Sequence, residues 1–160
     1  MAADGKAEIR TVGVGAADLL ADLHDLCLMP EAERPWSAAE FADLLRQPVV
    51  WAAVAHTDGD PAGFVIGRFA GGEGDLLFVG VVPDHRGRGV GETLVTAMAG
   101  EARARNAARV VLEVAADNHA AKRLYDRCGF NILGERSGYY TRRDGSAADA
   151  LVMTLVFKNQ

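Results

Sequence analysis

The residues best suited to chemistry lie at positions 86–91, where two arginines alternate with three glycines as Arg-Gly-Arg-Gly-Val-Gly. An apolar run precedes this segment and an amphipathic pattern follows it, so it should join a strand to a helix. Glycine lets the backbone turn tightly and approach a ligand closely. The first amides of a helix lack acceptors and bind anions, and arginine adds positive charge. The segment predicts a loop that binds pyrophosphate, although an ordinary strand-to-helix turn would have the same spacing.

A glutamate in an otherwise apolar strand is the second candidate for chemistry. Residues 109–115 read Arg-Val-Val-Leu-Glu-Val-Ala, and strand alternation places Val111, Glu113 and Ala115 on one face. A carboxylate in such a run lies either at a wet cleft or in a buried site that raises its pKa, and both environments suit a general base. The alternative is a glutamate that faces solvent or pairs with an arginine.

Asn118 and Tyr125 follow this strand at a spacing that places them together. Asn118 stands where a helix should begin, and Tyr125 lies seven residues further on, so both side chains project from about the same side. Each residue also has a purely structural explanation. Asparagine commonly caps a helix, and a tyrosine at such a position is usually part of the core.

The composition indicates one globular domain that spans residues 1–160. A chain of 160 residues is long enough to bury a sizeable core without cross-links. Its net charge of −5 argues against a nucleic-acid partner and permits an amine substrate. Cys27 and Cys128 form no cluster with histidine, so we expect neither a disulfide framework nor a metal site. No targeting or membrane-spanning run is present, which predicts a cytoplasmic protein.

Two helices are expected in the N-terminal third of the chain. Leucines at positions 19, 20, 23 and 26 predict an apolar helix face that ends near Pro30. A second helix should begin after Ser37, which opens a Ser-x-x-Glu capping box. Trp36 and Phe41 stand where a hydrophobic staple would place them, so we interpret Trp36 as structural.

The remaining segments predict an α+β fold with a mixed sheet. Three strands separated by glycine turns form an antiparallel meander after a short edge strand; these four strands are expected at 7–12, 49–55, 63–69 and 76–82. A helix, a strand and a helix then make a βαβ crossover with parallel pairing, at 90–106, 110–115 and 118–128. Two closing strands, at 130–133 and 151–157, should flank a polar loop over 141–149.

Together these segments resemble the GNAT acetyltransferases. Residues 86–91 match the Q/R-x-x-G-x-G/A motif, the loop that holds the pyrophosphate of acetyl-CoA in that superfamily. The downstream segments resemble the RimI branch, the ribosomal-protein-alanine N-acetyltransferases; they are 112–118, 120–121, 124–125, 129–130, Arg136 with 139–140, and 149–150 with Met153. The similarity covers about residues 7–157. It implies acetyl-CoA as cosubstrate and a protein N-terminal amine as acceptor.

The resemblance also implies roles for particular residues, with no metal among them. Glu113 matches the general base of the family and Tyr125 its general acid. Asn118 would contact CoA, and one β-strand would lend backbone groups to the pantetheine arm as an added strand would. The residues of that strand are Val79, Gly80 and Val81. The pyrophosphate would be held by Arg86, Gly87, Arg88, Gly89, Val90, Gly91 and Glu92.

The chain departs from the branch where it should border the acceptor. Phe78 and Gly80 stand where a polar residue and a small apolar one are common, and the loop at 141–146 is basic. We interpret the chain as an acetyl-CoA-dependent N-acetyltransferase that acts on a protein N-terminal α-amine, first of all the alanine of a ribosomal protein. The alternatives are a GNAT enzyme that acetylates lysine or a small-molecule amine, and a non-catalytic CoA-binding sensor module.

Overall fold

A seven-stranded sheet forms the centre of the computed structural model, which describes residues 7–28, 34–141 and 144–158. The strands are β1 (Glu8–Val12), β2 (Val50–Thr57), β3 (Asp60–Ala70), β4 (Glu73–Val81), β5 (Arg109–Ala115), β6 (Asn131–Thr141) and β7 (Ala147–Val156). The helices are α1 (Ala17–Cys27), α2 (Ala38–Leu45), α3 (Val90–Ala104) and α4 (His119–Arg127). The strand order is β1-β2-β3-β4-β5-β7-β6. All neighbours are antiparallel except β4 and β5, which confirms the predicted mixed sheet with a parallel crossover.

Left-handed residues close the two turns of the N-terminal meander. Asp58 and Gly59 join β2 to β3 with φ angles of 52° and 85°, as expected of a tight hairpin turn. Gly71 and Gly72 join β3 to β4 with φ angles of 63° and 74°. The third strand of the meander therefore begins at Glu73, three residues earlier than its apolar run alone predicts, because the turn occupies only two residues.

Helices pack on both faces of the sheet and divide the core in two. α3 and α4 cover one face, where the apolar stripe predicted for α3 is buried; its members are Leu94, Val95, Met98 and Ala102. α1 and α2 cover the other face over β2, β3 and β4, with Leu20, Phe41 and Phe64 fully buried. Within the described residues, no helix is long and apolar enough to cross a membrane.

α1 buries a different stripe from the one that its leucines predict. Leu20 and Leu23 are buried, but Leu26 is 58% exposed and His24 is 2% exposed. At 100° per residue, a stripe through positions 20 and 23 continues to 24 and 27 rather than to 26. The expectation for Leu26 was therefore wrong, and the predicted end near Pro30 lies outside the described residues.

The second helix begins as its sequence predicts. The backbone N–H of Glu40 donates to Oγ of Ser37 at 3.1 Å, and the N–H of Ser37 donates to Oε1 of Glu40 at 3.3 Å. Trp36 and Phe41 lie with ring centroids 5.3 Å apart, which confirms the staple. Hydrogen bonds from Arg34 lower the pKa of Glu40 to about 2.

A buried histidine connects the two N-terminal helices. Nδ1 of His24 accepts a hydrogen bond from the backbone N–H of Trp36 at 3.0 Å, and its ring stacks on Trp36 at 4.8 Å. Burial lowers the pKa of His24, although Asp25 and Glu40 oppose that shift. The neutral ring is the form that accepts the hydrogen bond from Trp36.

Stability should therefore fall in mild acid. The unfolded chain takes up a proton at histidine below about pH 6.5, whereas folded His24 resists it, so the contribution of His24 is present above that pH and is lost as the pH falls. We expect the melting-temperature advantage of the wild type over His24→Phe to shrink between about pH 7.5 and pH 5. Calorimetry at both pH values, with His119→Asn on the exposed start of α4 as control, checks this. A constant advantage would contradict it.

The two C-terminal strands are longer than predicted. β6 runs from Asn131 to Thr141 and β7 from Ala147 to Val156, so both ends of the expected polar loop at 141–149 are strand: Thr141 at one end and residues 147–149 at the other. Phe130, predicted as strand, lies before β6 and is buried against α4. The polar and glycine-rich composition of β6 concealed the strand, because an exposed edge strand needs no apolar alternation.

Candidate active site

A gap opens in the middle of the sheet, between the two parallel strands. β4 and β5 pair only over Glu73–Asp75 and Arg109–Val111. β4 then contains a bulge at Leu77, since Gly67 of β3 lies opposite Leu76 and Ile66 lies opposite Phe78. A bulge bends its strand and increases the local twist. The later part of β4 therefore turns away from β5, and the strands have no further ladder pairs within the described residues.

Backbone groups of β4 point into this gap. The N–H of Val82 donates to the carbonyl of Ala62 at 2.8 Å, so alternate residues of β4 bond to β3. By the same alternation, the N–H and C=O groups of Val79 and Val81 point away from β3 and into the gap. Of the three residues predicted for the pantetheine arm, Val79 and Val81 present backbone groups there, whereas those of Gly80 face β3.

Close packing explains why Gly80 carries no side chain. A Cβ at Gly80 would lie 2.9 Å from Sγ of Cys27 at the end of α1. It would also lie 2.7 Å from the ring of Phe78, which is closer than real Cβ atoms come. Gly80 departs from the family pattern, and the reason is that α1 packs so closely on β4 that no side chain fits at this position.

The arginine and glycine segment forms the turn between β4 and α3 that its sequence predicts. Gly87 and Gly89 have φ angles of 77° and 80°, a region that residues with a Cβ rarely adopt. Gly89 is the N-cap of α3 and offers no side-chain acceptor. The amides of Val90, Gly91 and Glu92 therefore begin the helix without intrahelical acceptors, at the positive end of its dipole. This geometry fits a pyrophosphate group.

The two arginines of the loop differ in what they contact. Nε of Arg86 donates to the carbonyl of Val81 at 3.0 Å, and its Nη2 donates to the carbonyl of Cys27 at 3.1 Å. Arg86 thus ties the end of β4 to the end of α1. Arg88 is exposed and makes no hydrogen bond or ion pair with the described residues. Glu92 lies 4.0 Å from Arg127 of α4.

Substitution should separate these two roles. Arg88→Gln should raise the acetyl-CoA dissociation constant by about tenfold with an unchanged melting temperature, because only a charge for the ligand is lost. Arg86→Gln should lower the melting temperature by roughly 2–6 °C, because two carbonyls lose a charged donor. Titration calorimetry and thermal melts measure both quantities. A larger loss of acetyl-CoA affinity in Arg86→Gln than in Arg88→Gln would contradict the assignment.

Glu113 lies on the face of β5 that it shares with Val111, as alternation predicts. Val110, Leu112 and Val114 point into the core beneath α3 and α4, while the carboxylate of Glu113 points to the opposite face. Its side chain is 27% exposed, and Oε1 lies 3.3 Å from Nη1 of Arg136. The side chain is partly buried and paired with an arginine, and the arginine pair is the alternative that the sequence set against a general base.

Tyr125 lies on the other side of the sheet from Glu113. It is 7% exposed, and its ring lies 5.8 Å from that of Phe130. Burial raises the pKa of Tyr125, and Tyr140 and Cys128 add to that shift. The phenol therefore keeps its proton in the folded protein. Glu113 and Tyr125 lie on opposite faces of β5, so we expect one substrate to reach both through the gap between β4 and β5.

Asn118 caps α4, as its position predicts. Its Oδ1 accepts a hydrogen bond from the backbone N–H of Ala121 at 3.2 Å. The side-chain amide nitrogen takes no part in that bond, and the residue is exposed after the end of β5. The structural explanation of Asn118 is therefore realised, and a donor remains for a ligand.

Two features of the site were not evident in the sequence. Partial burial raises the pKa of Asp75, at the point where β4 and β5 separate. Arg68, whose Nη2 lies 3.8 Å from Oδ2 of Asp75, opposes that shift, and Glu73 and Glu113 add to it. The contact of Arg136 with Glu113 joins residues of β6 and β5, which are not neighbours in the sheet because β7 lies between them. Asp75 gave a weak signal as an acidic residue at the start of an apolar run. No group of three or more histidine, cysteine or acidic residues suited to a metal occurs among the described residues.

The fold and the site together define a class of protein. The site combines three features: a gap beside a parallel strand pair, a turn that can bind an anion, and a carboxylate at the gap. Together they suit an enzyme that transfers a group from a carrier containing phosphate. The family model described as acetyltransferase (GNAT) family matches residues 17–130. The chain belongs to this family, and it is an acetyl-CoA-dependent N-acetyltransferase.

Individual proteins and one solved structure are similar to this chain over most of its length. A putative ribosomal protein bS18-alanine N-acetyltransferase of Bacillus subtilis (strain 168) is 32% identical over 120 residues, covering 74% of this chain and 78% of that protein. The corresponding enzyme of Escherichia coli (strain K12) is 34% identical over 121 residues, covering 76% and 80%. The crystal structure of the ribosomal-protein-S18-alanine N-acetyltransferase from Escherichia coli matches with a TM-score of 0.85 at 27% identity, covering 97% of this chain and 96% of that one.

Proposed function

We propose that this chain acetylates a protein N-terminal α-amine, and that its acceptor is the N-terminal alanine of a ribosomal protein. The half-buried carboxylate of Glu113, at the gap in the sheet, is the observation that carries the proposal. Relatives at 32% and 34% identity are named for alanine of ribosomal protein bS18, which supports the choice of acceptor. Under this proposal, residues 1–160 act as a single catalytic domain. The protein would work in the cytoplasm, because a ribosomal protein is found there.

Glu113 serves as the general base. An amine must be neutral to attack a thioester, and an α-amine has a pKa near 8, so a carboxylate within reach, directly or through one water, suffices to remove its proton. Nη1 of Arg136 lies 3.3 Å from Oε1 of Glu113, so the carboxylate has a cation beside it where it would receive the proton.

Tyr125 serves as the general acid, and β4 stabilises the developing oxyanion. The phenol of Tyr125 is protonated when the thiolate of CoA leaves, so it can donate its proton to the sulfur as the C–S bond breaks, and the phenolate then regains a proton from solvent. A backbone N–H of Val81 or Val79 that points into the gap donates to the oxyanion. The turn at 87–92, with the charge of Arg88, and the side chain of Asn118 hold the CoA moiety so that its thioester reaches the gap.

The acetyl group passes directly to the amine without an enzyme nucleophile. The thiols of the chain are poor candidates for a covalent intermediate, because burial raises the pKa of Cys27 to about 11 and also raises that of Cys128. Their thiolate forms are therefore scarce near neutral pH. Acetyl-CoA, with Glu113 as base and Tyr125 as acid, is sufficient for transfer of the acetyl group in a single step.

A competition among acceptors tests the proposal. Purified protein and acetyl-CoA are incubated with peptides that bear free N-terminal Ala, Ser or Met, with an N-blocked peptide that contains one lysine, and with polyamines. Mass spectrometry then locates any added acetyl group. The matched control is the Ala peptide with its N-terminus already acetylated.

Acetylation of the Ala peptide alone supports the proposed acceptor. Acetylation of lysine or of a polyamine in preference to every N-terminus would overturn the acceptor while retaining the mechanism. Binding of CoA without transfer to any amine would overturn the proposed catalytic function and favour a sensor module.

A further inference from the structure

Arg136 lies beside the proposed base in a way that restricts the carboxylate. Nη1 of Arg136 lies 3.3 Å from Oε1 of Glu113, and the arginine side chain is 56% exposed. The contact places a positive charge beside the carboxylate. A fixed cation at this distance favours one orientation of the carboxylate over others.

A bulge in β6 presents Arg136 at this position. Arg136 pairs with Ala150 of β7, whereas Tyr140 pairs with Ala148, so β6 contains two extra residues between those pairs. Gly138 lies within the bulge with a φ of 62°, a left-handed conformation that favours glycine. Its backbone N–H donates to Oδ1 of Asp149 at 2.8 Å. Asp149 thus fixes the shape of the bulge from the facing strand.

A tyrosine of the same bulge supports the arginine. Cζ of Arg136 lies 5.3 Å from the centroid of the Tyr139 ring, a distance at which a cation and an aromatic face attract. Tyr139 is half exposed, and its ring contacts that of Tyr140 edge to face. The guanidinium group is therefore held between an aromatic ring and the carboxylate of Glu113.

We infer that Arg136 is a positioning residue for Glu113, and that Asp149 acts behind it by fixing the bulge that carries Arg136. This inference rests on the proposed role of Glu113 as general base. Asp149 does not touch the carboxylate, and its effect on catalysis passes through Gly138 and the course of β6.

The alternative explanation is that the contact between Arg136 and Glu113 is a surface ion pair without a role in catalysis. Exposed pairs contribute little to stability, so removing Arg136 would then change neither stability nor turnover appreciably. A positioning residue instead affects turnover and spares the binding of acetyl-CoA, because the pyrophosphate loop begins α3 and lies away from β6. Its effect also depends on the presence of a competent base.

Steady-state kinetics on the wild type and Arg136→Met separate these explanations. We expect kcat to fall about 30-fold, within the range that misplacement of a catalytic group causes. The KM for acetyl-CoA and the melting temperature should stay close to those of the wild type. Arg136→Lys should restore much of kcat, because a lysine also places a cation beside Oε1. Arg105→Met, which removes the ion pair to Glu101 on α3, is the matched control and should have wild-type kinetics.

A double mutant adds a readout that a merely structural arginine would not change. Adding Arg136→Met to Glu113→Gln should lower kcat by less than about twofold, because the residue that Arg136 positions is already inactive. The full 30-fold loss in that background would show that Arg136 acts independently of Glu113.

Asp149 offers a second test that leaves Arg136 in place. Asp149→Ala should lower kcat about tenfold, because the N–H of Gly138 loses its acceptor and the bulge loosens. Asp149→Asn should keep most of the activity, because its side-chain oxygen still accepts that hydrogen bond. Equal activity of the Ala variant and the wild type would contradict the role of the bulge.

The outcomes for the two proposals are distinguishable. A wild type that acetylates no amine refutes the proposed function and with it this inference. A wild type that acetylates the Ala peptide, together with an Arg136→Met variant of unchanged kcat, overturns the inference alone.

Discussion

Glu113→Gln should lower kcat by about 10²- to 10³-fold, the range expected for loss of a general base. The amide has nearly the same shape as the carboxylate, and its oxygen can occupy the same place beside Arg136, so the local geometry is kept. What is lost is the capacity to accept a proton from the amine. Because the proposed CoA site, the turn after β4 and β4 itself, does not include Glu113, the KM for acetyl-CoA should stay within about twofold.

Release of the CoA thiol, followed over a range of pH, measures this effect. Glu101→Gln is the matched control, because it makes the same chemical change in an ion pair on the surface of α3. If Glu113→Gln retains the wild-type rate at every pH, another group is the base. Asp75 would then be the first candidate, since it lies where β4 and β5 separate and its pKa is raised.

Tyr125→Phe should lower kcat by about 10- to 10²-fold while the protein remains folded. The change deletes only the hydroxyl and keeps the ring that packs against Phe130. Because burial raises the pKa of Tyr125, the phenol retains its proton beyond the usual range for tyrosine. The wild type should therefore show no loss of kcat from ionisation of this residue up to about pH 10.

Stopped assays across alkaline pH, with Tyr139→Phe as control, test this assignment. Tyr139 is half exposed, and a phenylalanine keeps the aromatic face beneath Arg136, so the control should resemble the wild type. A Tyr125→Phe variant with undiminished kcat would exclude the phenol as the proton donor. A steep loss of wild-type kcat well below pH 10, absent from Tyr125→Phe, would mean that the phenol ionises more easily than its burial indicates.

Local signals in the sequence were sufficient for much of the fold. The capping box at Ser37, the hairpin at Asp58 and Gly59, and the turn into α3 each depend on neighbouring residues, and each has the predicted form. The alternation that directs Glu113 away from the core is equally local. Such features need only the geometry of one helix, turn or strand.

The remaining features depend on register between distant segments. The gap between β4 and β5 arises from a bulge at Leu77, which shows only when β4 is aligned with β3. Arg136 reaches Glu113 because β7 lies between β5 and β6 and a second bulge shifts β6. The side chain of Arg86 bonds to a carbonyl of α1, a segment 59 positions away. Composition and spacing along the chain contain no signal for these alignments.

We propose that thioester and amine meet at the gap beside Glu113, and a crystal structure with a bisubstrate analogue would show directly whether they do. The analogue joins CoA through an acetyl linker to the nitrogen of an N-terminal alanine in a short peptide. We predict that the pantetheine arm lies between β4 and β5 and forms hydrogen bonds with the backbone of Val79 or Val81. The pyrophosphate should lie on the amides of residues 87–92. The alanine nitrogen should lie within hydrogen-bond reach of Glu113, directly or through one water. A nitrogen bound on the α3 and α4 side of the sheet, remote from Glu113, would contradict it.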